Sequence, residues 1–229
     1  MLRFCFDEPP RSGEGELQHL FDLLDQYRER NNGRGRRKDQ ALRLRMWAKS
    51  LEVTIDELEQ SVYCSDQYAG QVKHLYVEQM NEEEKLAYRR HLYFFRNGFI
   101  RVFSTLDKLG SFMDEHFALN TGRVKPKYSY YTVLRQLKES RKHDELRRRL
   151  YDLKVRYEAS MQDLRLMRNH EVHALNVELL DDQGHLRMRP GENREQIEDL
   201  DYNGKRLGDG YRMVIRSTEA VFQYILKHS

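Results

Sequence analysis

No stretch of this 229-residue chain approaches the run of about 18 apolar residues that a membrane-spanning helix needs. Cysteine is nearly missing. Cys5 and Cys64 stand far apart, with no metal-ligand spacing and too few thiols for a disulfide framework. Four prolines and 13 glycines are too few for a collagen-like or low-complexity chain. Conversely, 14 Tyr and 10 Phe supply too much buriable aromatic surface for a disordered one. No apolar–polar alternation is long enough to predict a strand, so the glycines of NGRG and GDG lack the strand that precedes a phosphate-cradling loop. The segment MLRFCFDEPP turns acidic too early for a signal peptide, and a cytoplasmic location without membrane contact is expected.

What is present is charge. Charged residues make up 34% of the chain, against roughly 25% in an average globular sequence, and the net charge is +3. Long amphipathic helices produce such a surface, because each buries one apolar stripe and shows a wide polar face. The charge is also uneven. Residues 28–49 hold nine basic and two acidic side chains, and residues 135–156 hold nine against four. Residues 178–201 lean the other way, with eight acidic and three basic. Arginine outnumbers lysine 28 to 12, and its planar fork suits phosphate and carboxylate alike. On charge alone, the basic blocks read equally as solvated helix faces or as nucleic-acid contacts.

Apolar residues recur at helical spacing almost throughout. Leu17, Leu20, Phe21, Leu24 and Tyr27 predict a first helix, which NNGRG ends. Leu44, Trp47, Ala48 and Leu51 predict a second, shorter one. Thr54 and Glu57 have capping-box spacing and predict a third, to about Met80. Asn81 and Glu84 predict the cap of a fourth helix, whose seam runs Tyr88, Leu92, Phe95, Phe99, Val102, Leu106, Leu109, Met113. A loop at 120–126, a short helix near 132–141 and one long helix from Leu146 to about Leu175 follow. The glycines between 181 and 210 predict an irregular excursion, and Tyr211 to Ile225 a closing helix. The expectation is therefore an all-α bundle of long antiparallel helices. Residues 1–53 form a basic N-terminal extension, and residues 54–229 form the main domain, with a polar insertion around 176–206.

One position breaks the core pattern. The stripe Tyr157, Met161, Leu164 continues to Arg168, so a guanidinium occupies an apolar register. Burying it unpaired is costly, which calls for a carboxylate such as Glu171, a phosphate or a wet cleft. Asn169 and His173 lie four apart and share a face, so the amide can orient the imidazole. Arg168 and His173 are about 140° apart on an ideal helix and converge only through distortion or through two chains. His170 and His173 flank Glu171, but HEVH lacks the four-residue His spacing of zinc peptidases. No metal and no other cofactor is expected.

Arg168, polar Asn169 and His173, late in LYDLKVRYEASMQDLRLMRNHEVH, resemble the motif of the HEPN superfamily. FFRNGFIRVFSTLDKLGSFM and YSYYTVLRQL ahead of it resemble a bacterial stand-alone branch. The pair Arg165 and His170 also fits the spacing, but Leu166 follows that arginine. The resemblance covers residues 88–174 and the final helix. It implies a homodimer whose motif helices face each other across a twofold axis, and a metal-independent endoribonuclease acting on single-stranded RNA. In it Arg168 would hold the phosphate, His173 would move protons, and Asn169 would position either. Arg34, Arg36, Arg37, Arg147, Arg148, Arg149 and His170 are then candidate RNA contacts. An antitoxin or antiphage-defence partner is a further implication. The alternative within the same resemblance is a non-catalytic RNA- or nucleotide-binding adaptor or sensor.

Overall fold

The computed structural model describes residues 6, 15–31, 38–126, 128–140, 142–173 and 196–228, with the backbone alone of Val172 and His173. Arg34, Arg36 and Arg37 lie outside the described residues. Among those described there are eight α-helices and no strand beyond an isolated Tyr76–Gln196 bridge. They are α1 (Glu16–Arg30), α2 (Lys38–Ala69), α3 (Glu82–His116), α4 (Thr121–Val124), α5 (Tyr130–Ser140), α6 (Asp144–Arg156), α7 (Glu158–His173) and α8 (Leu200–His228). The all-α architecture is the expected one.

Helices α2 and α3 form an antiparallel hairpin of 32 and 35 residues, each about 50 Å long at 1.5 Å per residue. Polar cross-links fix its register: His91 Nδ1 to Ser65 O at 2.9 Å, Ser61 Oγ to Asn97 Oδ1 at 3.0 Å, and Lys108 Nζ to Ser50 Oγ at 3.0 Å. Trp47 Nε1 and Arg43 Nε close the far end on the two oxygens of Glu115, at 3.1 and 2.8 Å. The predicted seam of α3 is buried along its whole length, from Tyr88 to Met113. Asn81 caps α3 as expected, its Oδ1 accepting from Glu84 N at 2.8 Å. The Glu84 carboxylate turns elsewhere. It accepts from Lys73 N, His74 N and His74 Nδ1 at 2.6, 2.7 and 2.8 Å, which tie down the α2–α3 loop and lower its pKa to about 2.

Several element boundaries differ from expectation: α2 ends at Ala69, eleven residues short of Met80, and the short α4 lies in the predicted 120–126 loop. The second and third predicted helices are one. Thr54 is buried in the middle of α2 and bonds back to Ser50 O instead of capping anything. The 53/54 division thus falls within a helix, and α1 shares the main core with α2, α3 and α8. Conversely, the predicted helix from Leu146 divides at Tyr157 into α6 and α7. Its hydrogen-bond ladder still passes through, Tyr157 N to Leu153 O at 3.1 Å and Met161 N to Tyr157 O at 2.9 Å. Finally, α8 begins at Leu200, eleven residues before expectation, with Gly204, Gly208 and Gly210 inside it. Gly210 faces Leu164 and Val102, and an added Cβ there would stand 2.7 Å from Leu164 Cδ1. The glycine serves close helix packing rather than a turn.

Helix α8 packs on α1, α2, α3, α6 and α7 and is the hub of the bundle. Near its end Phe222 stacks on Phe112 at 4.8 Å and meets Tyr27 edge-on at 5.1 Å. His116 lies against Phe112 and its Nδ1 is 3.2 Å from the Tyr27 hydroxyl. Burial lowers its pKa from 6.5 to about 4, so the fold favours the neutral imidazole. As pH falls from 6.5 toward 4 the unfolded chain binds a proton that the folded one refuses, and stability is lost. Between pH 7 and 5 this removes at most about 2 kcal/mol. Urea unfolding at both pH values should show a smaller loss for His116→Gln than for wild type; equal losses would refute the assignment.

Candidate active site

The α7 stripe enters the core through Met161 and Leu164, both buried, and emerges at Arg168, half-buried. Helix α7 runs antiparallel to α3, with Arg168 beside Phe103 and Glu171 beside Arg96. The guanidinium carbon of Arg168 stands 5.1 Å from the Phe103 ring centroid, a cation–π seat that holds the group without neutralising it. Its Nη2 donates to Asn169 Oδ1 at 3.0 Å. Asn169 therefore orients the arginine in this structure. The ion pair with Glu171 that periodicity suggested does not form, because Glu171 instead faces Arg96 Nε at 3.5 Å.

Instead of Glu171, Arg168 meets an open cleft of about 480 Å³ between α3, α5 and the α6–α7 face. Five cations line it: Lys125, Arg135, Lys154, Arg165 and Arg168. Two carboxylates oppose them, Asp107 and Glu158. Asp107 accepts from Tyr130 N at 2.8 Å. Its burial raises the carboxyl pKa, while that hydrogen bond and the nearby Arg168 and Arg165 pull it back. Arg165 lies 5.0 Å over the ring of Tyr131. Among the described residues neither Lys125 nor Arg135 has a side-chain hydrogen bond or ion pair. Phe103, Leu106 and Met161 give the cleft an apolar floor.

The other expected residues fall as follows. His173 occupies the last turn of α7, one turn beyond Asn169, and its side chain lies outside the described residues. His170 is exposed on the same turn. Arg147, Arg148 and Arg149 sit on α6, away from the cleft. Arg147 pairs with Asp144 at 3.0 Å, Arg148 bonds to Asp144 O at 3.4 Å, and Arg149 donates to Gln223 on α8 at 2.8 Å. The cleft cations Lys125, Arg135, Lys154 and Arg165 were not singled out from sequence. Two signals pointed to them: Arg165 fitted the motif spacing, and Arg135 and Lys154 belong to the second basic block. No group of three or more His, Cys, Asp or Glu among the described residues is placed to hold a metal. No described helix is long and apolar enough to cross a membrane.

A half-buried motif arginine on a helix of an all-α bundle fits the family that the motif suggested, and the chain belongs to the HEPN superfamily. The branch it matches is the Cthe2314-like HEPN family, over residues 47–226, which spans α3 to α7 and most of α2 and α8. No match was found among curated proteins or among solved structures. Membership places the chain among RNase-like or nucleotide-related proteins.

Proposed function

We propose that the protein is a metal-independent endoribonuclease that cuts single-stranded RNA through Arg168 and His173. The observation that carries this reading is the state of Arg168. Its guanidinium is pinned on Phe103, oriented by Asn169, free of any carboxylate pair among the described residues, and open to a cationic cleft. A cation held in this way suits a phosphate.

The chemistry follows from the residue types. Neutral His173 takes the proton of the ribose 2′-OH, whose oxygen attacks the adjacent phosphorus. The P–O5′ bond breaks, and an imidazolium protonates the departing 5′-oxygen. The products are a 2′,3′-cyclic phosphate and a 5′-OH. Arg168 neutralises the charge that builds on the non-bridging oxygens in between. One straight helix does not aim both side chains at one phosphate, since they are about 140° apart. A twofold pair of α7 helices removes that difficulty by setting the arginine of one copy opposite the histidine of the other. The exposed stripe Leu86, Tyr93, Ile100 on the neighbouring α3 offers apolar surface for such a homodimer.

The reading is tested by where the cut falls. A DNA strand with a single ribonucleotide should be cleaved only 3′ to that ribose, leaving a cyclic phosphate, and 2′-O-methylation of it should stop the reaction. Cutting that ignores the 2′-OH would overturn the mechanism.

A further inference from the structure

We propose that the cleft running from Arg168 to Lys154 is a phosphate-binding groove within each protomer, which seats the backbone of the RNA strand flanking the scissile bond. The inference rests on the ribonuclease reading for the direction of the strand, but its evidence is separate. Lys154, Glu158, Arg165 and Arg168 line one face of α6 and α7 at steps of four, seven and three. That face is at most about 21 Å long, at 1.5 Å per residue. A stacked strand advances about 3.4 Å per nucleotide, so several phosphates fit along it. Lys125 and Arg135 stand on the opposite wall, contributed by the end of α4 and by α5. The groove therefore presents cations from both sides.

Its two acids leave that excess intact. Asp107 is committed to Tyr130 N and faces Arg165 and Arg168 from α3, while Glu158 makes no ion pair among the described residues. Five cations over two carboxylates leave a surplus of three positive charges. The idle state of Lys125 and Arg135 is the informative part. Both side chains are exposed and line the cleft with their charges unpaired among the described residues. Phe103, Leu106 and Met161 beneath the cleft are buried, so they offer bases little face to stack on. The groove thus holds backbone and shape, and specifies little sequence.

The probe is a fluorescent 12-nucleotide RNA in which every ribose is 2′-O-methylated, so that it binds without being cut. The triple variant Lys125→Gln, Arg135→Gln, Lys154→Gln removes three charges from the groove. The control Arg147→Gln, Arg148→Gln, Arg149→Gln removes three from α6 outside it. At 100 mM salt the groove variant should bind at least tenfold more weakly than wild type. The slope of log K against log salt should fall by about 2, while the control stays within twofold. Matching circular dichroism and elution volumes guard against misfolding. Equal losses in the two triples would overturn the groove, leaving only general attraction by net charge. ATP in a parallel titration separates the other source of phosphate. Binding of ATP that the groove variant abolishes, with strand binding unchanged, would overturn the strand reading in favour of a free nucleotide. If groove-dependent binding holds but wild type cuts no RNA, the ribonuclease reading fails and the groove stands. If RNA is cut but both triples bind as wild type does, the reverse is true.

Discussion

Arg168→Ala is expected to lower the rate of RNA cleavage by about 10²- to 10³-fold, the usual cost of removing one donor to a developing oxyanion. The fold should survive, because the guanidinium is half-exposed and has no ion pair among the described residues. Its cation–π contact with Phe103 contributes about 1 kcal/mol or less. Arg168→Lys separates charge from geometry. A lysine restores the positive charge but neither the planar fork nor the bond from Nη2 to Asn169 Oδ1, so it should recover only part of the rate. Full recovery by lysine would reduce Arg168 to a point charge. An unchanged rate in Arg168→Ala would remove it from the chemistry altogether.

The largest stability effect is expected where α7 meets α8. Leu164 is fully buried and stands over Gly210, so Leu164→Ala should cost about 2–5 kcal/mol. Gly210→Ala places a Cβ 2.7 Å from Leu164 Cδ1 and 3.2 Å from Val102 Cγ2. That crowding should cost about 1–3 kcal/mol, and the gain in helix propensity of up to about 1 kcal/mol offsets only part of it. In the Leu164→Ala background most of the clash is gone, so the same substitution should become nearly neutral. Urea unfolding of the four proteins should therefore give a coupling of at least about 1 kcal/mol. Additive costs would show that Gly210 does not set the approach of α7 to α8. The result matters for function, since this contact lies one turn from Arg168 and fixes the depth of the motif helix.

The parts of the fold legible in the sequence are those where periodicity is strong and local. The α3 seam is buried as its four-and-three spacing required, and Asn81 caps that helix. The errors occurred where residue preferences carry two meanings. Thr54 followed by Glu57 is a capping box when it opens a helix and an ordinary buried threonine when it does not. Glycines 204, 208 and 210 signal a loop in isolation. Beside Leu164 and Val102, Gly210 is the small residue that lets two helices touch. The division at Tyr157 left no mark in the pattern, because the apolar stripe and the hydrogen-bond ladder both cross it.

The site divides along the same line. Arg168 was legible because it violates its own helix's stripe, a signal contained within 12 residues of sequence. The opposite wall was not. Lys125 and Arg135 come from other elements, and only tertiary packing brings them across the cleft from α7. The tight arginine run at Arg147–Arg149 drew attention by density, yet Arg147 and Arg149 already have partners in Asp144 and Gln223. Clustering along the chain reports charge density, whereas the groove is built from cations dispersed along it.

The measurement that tests the central claim most directly is cleavage of a mixed-sequence single-stranded RNA in excess EDTA. Wild type, Arg168→Ala and His173→Ala are compared at matched circular dichroism and elution volume. Cleavage by wild type alone, ending in 2′,3′-cyclic phosphates, is the expected result. Equal cleavage by all three proteins, or activity that EDTA abolishes, would contradict a metal-independent site built on Arg168 and His173.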